Sequence, residues 1–356
     1  MDLVSAAWMT RSLGESVSAI HLDHDENLYA GGWNGSLRHW NSDGDLLWSS
    51  QLNDRITIIS REGEYVFATA GLHITCLLAT SGEIVWSVAL EGSADSLVVF
   101  QQSLYAISSV YDIEHNDFLE SAIWNFSFDG ELHWVQKMDE RPWVALEFEN
   151  QLWFGLGRPK CGLIQLIDSE EQHHITTSAD SPVTCGSTAS SQILFGHSDG
   201  SVSDSRGKII STEESSIDLL LALEKGYIAA LENGNMVRRV GNETMWSSKG
   251  ESVTVQAKGF ALDGIATHWT GRWSGSEGVL QVRNCESGKV LASASCSRCE
   301  SITATLNLVA VGYDNGDIRV WEAEMFSRRL DNQNEKEAPT KRNSALQDKL
   351  RALRDR

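Results

Sequence analysis

The residues of this chain best suited to chemistry are its cysteines and histidines, and their spacing limits what that chemistry is. Cys296-x-x-Cys299, with Cys285 eleven positions earlier, is the one metal-like grouping. A structural zinc site takes four nitrogen or sulfur ligands, commonly completed by a second CxxC or a histidine pair. Neither follows here, and His268 is the only candidate for a fourth ligand, so we read these thiols as partly buried cysteines in a connection between repeats. His21-x-x-His24 and His173-His174 fall at a strand end and in a loop, whereas a zinc protease needs HExxH on a helix. They read as surface or turn histidines. No GxSxG elbow, P-loop or GxGxxG opens a helix after a strand, and Gly155-Leu156-Gly157 ends a strand without a helix to hold phosphate. The expectation is a protein without catalytic residues, metal or cofactor.

The elements that carry these residues form a repeat. In LVAVGYDNGDIRVWE (308–322) an apolar strand meets a turn with Asn315-Gly316 and then an alternating strand, which is hairpin chemistry. The apolar–aromatic–small strand recurs as LYAGG (28–32), VFATA (66–70), LYAIS (104–108), LWFGL (152–156), ILFGH (193–197), YIAAL (227–231), GIATH (264–268) and LVAVG (308–312). Eight occurrences in 280 residues give a mean step of 40, the period of a four-stranded propeller blade. Alternation within each run places one face against a neighbouring blade. The fold predicted is all-β, an eight-bladed β-propeller over residues 1–326. Seven blades is the alternative, should unit 5 (183–214) or unit 7 prove to be something else.

The eighth unit has three strands, to about Glu322, and lacks a fourth. AAWMTRS (6–12) is an unpaired strand before blade 1, so the predicted closure is a buckle in which the N-terminus completes the last blade and removes an open edge. From residue 327 to 343 the chain reads as a polar, flexible linker. Residues 344–356 read as a short amphipathic basic helix with Leu346, Leu350 and Leu353 on one stripe. The twelve residues after Ser344 are marginal as a free helix, so this segment either docks or frays.

Net charge is −20. Residues 327–356 hold nine Lys/Arg against five Asp/Glu, net +4, which leaves −24 on residues 1–326. Such a body repels phosphates and disfavours direct nucleic-acid binding except through the tail, while tolerating a basic protein partner. No run approaches the roughly 18 apolar residues of a membrane span. The start, with Asp2 and no basic region, does not read as a signal peptide. Six cysteines at irregular spacing fit reduced thiols and a cytoplasmic setting better than a disulfide framework.

GYDNGDIRVWE (312–322) and GGWNGSLRHWN (31–41) resemble WD-repeat strands. NSDGDLLW (41–48), LLATSGEIVW (77–86) and SFDGELHW (127–134) resemble the tryptophan-docking repeats of quinoprotein-like propellers, with Trp48, Trp86 and Trp134 each four residues after Gly44, Gly82 and Gly130. The resemblance implies that these tryptophans pack between blades. It carries no cofactor, because the residues that bind quinone and calcium in that family have no match here. It also implies that loops between second and third strands share one face with the loops joining blades. On that face we expect a partner-binding set of Trp33, Trp269, Arg272, Trp273 and Tyr313 on blades 7, 8 and 1. Tyr111 and Phe118 join it from a blade 3 insertion (109–121), and the tail contributes Leu346, Leu350 and Leu353. The function expected is a non-catalytic protein-interaction scaffold. The alternatives are a quinoprotein-like enzyme or small-molecule binder using the central channel, and a nucleic-acid-associated complex subunit.

Overall fold

The computed structural model of the chain describes residues 3–114, 117–167 and 172–330. All eight sequence units, units 5 and 7 included, form four-stranded antiparallel sheets, so the ring has eight blades and not seven. Blade 1 shows the plan, with strands Val17–Leu22, Leu28–Gly32, Ser36–Trp40 and Leu46–Gln51 running from the axis outward. Each inner strand touches the inner strand of the next blade, and that of blade 8 touches that of blade 1.

The closure forms as expected. Met9–Ser12 pairs antiparallel with Asp317–Glu322, in register Met9↔Val320 to Ser12↔Asp317, as the outer strand of blade 8. Trp8 N–H and Leu13 N–H extend the ladder to Val320 O (2.8 Å) and Gly316 O (2.9 Å). The strand is shorter than the predicted 6–12 because Leu3–Ala6 is a helical turn whose Leu3 and Ala6 are buried against blades 7 and 8. Trp321 Nε1–H donates to Leu3 O at 2.9 Å and holds that turn in place.

Two contacts repeat between blades. In the first, a tryptophan of one outer strand lies on the glycine of the next blade's outer turn. Trp48 Nε1–H donates to Ala79 O (2.8 Å), Trp86 to Phe128 O (2.8 Å) and Trp246 to Cys285 O (3.0 Å). A Cβ on Gly82, Gly130 or Gly288 would meet those same rings at 2.4 to 2.8 Å. At the closure Arg11 replaces the tryptophan, donating from Nε (2.9 Å) and Nη2 (2.6 Å) to Gly44 O.

The second contact sets a glycine near the end of a second strand against the first residue of the next blade's inner strand. Gly31 meets Ile56, Gly155 meets Val183, Gly196 meets Ile217, Gly271 meets Cys299 and Gly312 meets Val17, all with a Cβ position 2.4 to 2.9 Å from the facing side chain. In LYAGG and its equivalents the small residue is therefore a socket, and the core consists of clusters lying between blades.

In blade 7 the socket is Gly271, so the segment equivalent to LYAGG is HWTGR (268–272), four residues beyond the GIATH register read from sequence. The first two strands of this blade, Ser252–Leu262 and Ile265–Trp273, are long enough to carry both candidates.

Residues 331–343 of the expected linker lie outside the described residues. Residues 323–330 are helical, so 327–330 belong to a helix and not to a linker. Glu322 caps it by accepting from Glu324 N–H (2.8 Å) and Met325 N–H (2.7 Å), and Phe326 is buried against Phe260 and Trp269. Among the described residues no helix is long and apolar enough to cross a membrane. The tail helix with Leu346, Leu350 and Leu353 lies outside the described residues.

The sockets generate a stability prediction. Gly312→Val drives its side chain into Val17 and Ile20 at the blade 8–blade 1 junction. It should lower unfolding free energy by about 1–3 kcal/mol in urea titration, the usual cost of overpacking a tight core. Unchanged stability would show that the junction has slack.

Candidate functional site: an aromatic groove over blades 3 to 5

The second and third strands of blade 3, Ser103–Asp112 and Asp117–Ser127, are 10 and 11 residues long and carry their hairpin beyond the neighbouring blades. The register Tyr111↔Phe118 and Asp112↔Asp117, after a bulge at Val110/Tyr111, places two aromatics side by side. Their rings meet edge to face with centroids 5.2 Å apart. Phe118 then meets Trp143, from the start of blade 4's inner strand (Pro142–Phe148), edge to face at 5.9 Å.

Arg141 joins these rings to the body. Its guanidinium lies 3.8 Å from the Phe118 ring centre and 4.0 Å from that of Trp143. One end pairs with Asp95 (Nη2 to Oδ2, 3.1 Å). Asp95 also accepts from the hydroxyls of Ser93 and Ser109 at the hairpin base. Burial pulls the Arg141 pKa below its ordinary value and the Asp95 charge pushes back. A cation held between two aromatic faces and tied to a carboxylate is a stiff post, because stacking and charge fix its orientation together. Gly157 lies under Trp143, where a Cβ would be 2.8 Å from the indole nitrogen, so the indole lies flat on backbone.

Between this post and the loops of blades 4 and 5 runs an open groove of about 500 Å³. Phe118, Leu119 and Trp143 line one side, Pro159, Val183 and Ser198 the other. Tyr111, Leu119 and Trp143 are about half exposed (47%, 55% and 47%), and Ile113 beside them is 86% exposed. Asp117, Asp139 and Arg158 add exposed charge at the rim. The groove holds apolar contact area, fixed aromatic faces and charges of both signs. Its lining presents no nucleophile–base pair.

Of the site residues expected from sequence, the structure places Phe118 in the lining of this groove and Tyr111 against the Phe118 ring. Trp33 is on the surface (45% exposed), one blade pair away, with the Arg55 guanidinium 3.7 Å over its ring. Three others are corrected. Trp269 is fully buried, because 269–273 continues a strand and is not a loop. The indole takes the place that Tyr29 has in blade 1 and packs on Trp321 and Phe326. Arg272 is buried too, donating to Gly234 O (2.8 Å) and Glu251 O and so fastening blade 7 to blade 6. Tyr313 is 1% exposed, its ring covered by blades 7 and 8. Trp273 is half-buried at the strand end. No patch across blades 7, 8 and 1 results.

Sequence reasoning missed Arg141 and Trp143. The signal was Arg141-Pro142-Trp143 at the head of a strand, an aromatic and a cation placed where the chain leaves a loop.

The thiol and imidazole candidates separate. Cys285 is buried with Leu223 and Ile228, and His268 is buried beside Gln256, whose Oε1 lies 3.1 Å from its Nε2. Burial and the nearby Arg283 and Arg272 lower the His268 pKa to about 3, which keeps it neutral. Among the described residues no three His, Cys, Asp or Glu side chains gather as metal ligands.

No protein-family model matches the chain, and no curated protein matches it in sequence. Solved structures do share its fold. BamB from Moraxella catarrhalis superposes with a TM-score of 0.70 at 14% identity, over 89% of this chain and 97% of its own. Saccharomyces cerevisiae Sqt1 gives 0.70 at 12%, over 89% and 99%. The C-terminal WD40 domain of Sif2 gives 0.66 at 10%, over 88% and 97%. The chain is thus an eight-bladed β-propeller similar to WD-repeat propellers and to the PQQ-like repeat propeller of BamB. At these identities the likeness defines the fold alone.

The post generates a local prediction. Arg141→Ala should release the hairpin, so that amide hydrogen exchange at 109–121 quickens about tenfold, while global unfolding shifts by no more than about 1 kcal/mol. Unchanged exchange would mean that the rings hold the hairpin without the cation.

Proposed function

We propose that this protein is a non-catalytic interaction scaffold whose groove over blades 3 to 5 receives a segment of a partner protein. One observation carries the reading: large apolar side chains gather with outward exposure on a hairpin that the fold does not need. Exposed apolar residues elsewhere, such as Leu46, Leu47, Ile84 and Val85, are spread along outer strands one blade at a time. A rigid aromatic pair around a fixed cation is the kind of anchor that dominates interface energetics, since little side-chain freedom is lost on binding.

The groove favours a segment with an apolar or aromatic side chain to lie against Phe118 and Trp143 and a basic residue to meet Asp117 or Asp139. The acidic body, −24 over residues 1–326, supports a basic partner by steering its approach. Six cysteines, all free thiols, support a reducing, cytoplasmic setting.

The test is binding by co-purified partners to the full chain, quantified against variants. Trp143→Ala and Phe118→Ala should each weaken the complex at least tenfold, the effect of losing an anchor worth about 2 kcal/mol. Trp33→Ala, outside the groove, should change it less than threefold. Retained binding in both groove variants would reject the site.

A further inference from the structure

The pair Cys296 and Cys299 lies away from the groove and has no part in it. Cys296 ends the outer strand of blade 7 (Val290–Cys296), and Cys299 starts the inner strand of blade 8 (Cys299–Ala304). Only Ser297 and Arg298 separate them, and the two sulfurs lie 3.9 Å apart. Their surroundings differ. Cys299 is fully buried and pinned in the Gly271 socket, where a Cβ would lie 2.5 Å from its own Cβ and 2.8 Å from its sulfur. Cys296 is half-buried on the solvent side, next to the exposed Arg298.

The thiols also divide by acidity. The two sulfurs share a hydrogen bond in which either can donate. That contact, a backbone hydrogen bond at Leu280 and the charge of Arg319 set the Cys296 pKa below the ordinary value, while the same contact and burial raise that of Cys299. Burial pushes Cys76 and Cys185 up to about 12 and Cys285 up to about 11. A half-buried thiol of lowered pKa beside a fully buried partner thiol is the arrangement that reacts with disulfides and then resolves the product.

We propose that Cys296 and Cys299 form a reversible dithiol–disulfide site, with Cys296 as the nucleophile toward a small-molecule disulfide such as oxidised glutathione and Cys299 as the resolving thiol. The Cys296 thiolate attacks one sulfur of the small disulfide, forming a mixed disulfide and expelling one thiolate. Cys299 loses its proton to that thiolate or to water and attacks the Cys296 sulfur, expelling the second thiolate, which takes up from water the proton that Cys296 had released. The two protein thiols are oxidised by two electrons, and one disulfide is reduced to two thiols. Bond formation needs the sulfurs at about 2 Å, so Cys296 must move toward the pinned Cys299. The Ser297-Arg298 connection takes up that movement. Because Asp314 N–H donates to Arg298 O at 3.0 Å, the change reaches the Asp314–Gly316 loop of blade 8.

The test uses the full native chain incubated with oxidised glutathione, alkylated, and digested with trypsin, which cuts after Arg298. Peptides 290–298 and 299–319 should remain joined until a reductant is added. Cys299→Ser should instead accumulate one glutathione on Cys296, and Cys296→Ser should give neither product. The proposal is overturned if both thiols of the wild-type chain stay as alkylatable as in untreated protein, a result that needs no variant to fold. It is equally overturned if Cys299→Ser carries no more glutathione on Cys296 than on Cys285.

Discussion

A side chain at the head of one blade's inner strand seats in a glycine of the preceding blade, and that contact sets the spacing of the ring. It recurs at five of the eight junctions, and at the blade 6–blade 7 junction Ala230 and Val253 share one cluster. Because nothing larger than hydrogen fits opposite Ile56 or Val17, adjacent sheets approach closely along their inner edges and fan apart outward. The tryptophans on outer turns then fill the wider gap. Sheets that pack this way bury their cores between blades, so no blade is complete without its neighbour and the ring must close.

Closure meets both demands with one strand. Met9–Ser12 satisfies the open edge of blade 8, and Arg11 reaches Gly44 O where other blades use an indole. Leu3, Trp321 and Phe326 bring both described chain ends into one cluster with Trp269. That cluster explains why aromatics in this sector, which looked available for partners, are spent on holding the ring shut. Blade 3 lies outside it, and its long hairpin extends aromatic surface that no junction requires.

The fold was legible because its signals are local. A glycine followed four residues later by tryptophan, and a small residue near the end of most second strands, report the two inter-blade contacts: Trp48 and Trp86 dock on the next blade's turn, and glycine sockets occupy five junctions. Blade number and closure followed from counting strands. Side-chain fate was less legible. Alternation within an extended strand cannot say which register seats in the socket, so reading blade 7 four residues early turned Trp269 and Arg272 toward solvent when they face neighbouring blades, and Tyr313 of blade 8 was read as the start of a loop although it ends the strand Leu308–Tyr313. Phe118 and Tyr111 were found because an insertion marks surface. Arg141 and Trp143 were not, since their pairing with Phe118 and Asp95 is a tertiary contact between blades.

Hydrogen exchange measured strand by strand in the native protein tests the closed ring most directly. A closed ring predicts that the amides of 9–12 bonded to Asp317–Glu322 exchange as slowly as the hydrogen-bonded amides of the other outer strands, in one cooperative opening shared with the second strands. Fast exchange at 9–12 beside protected second strands would contradict it, because the ring would then stand without its buckle.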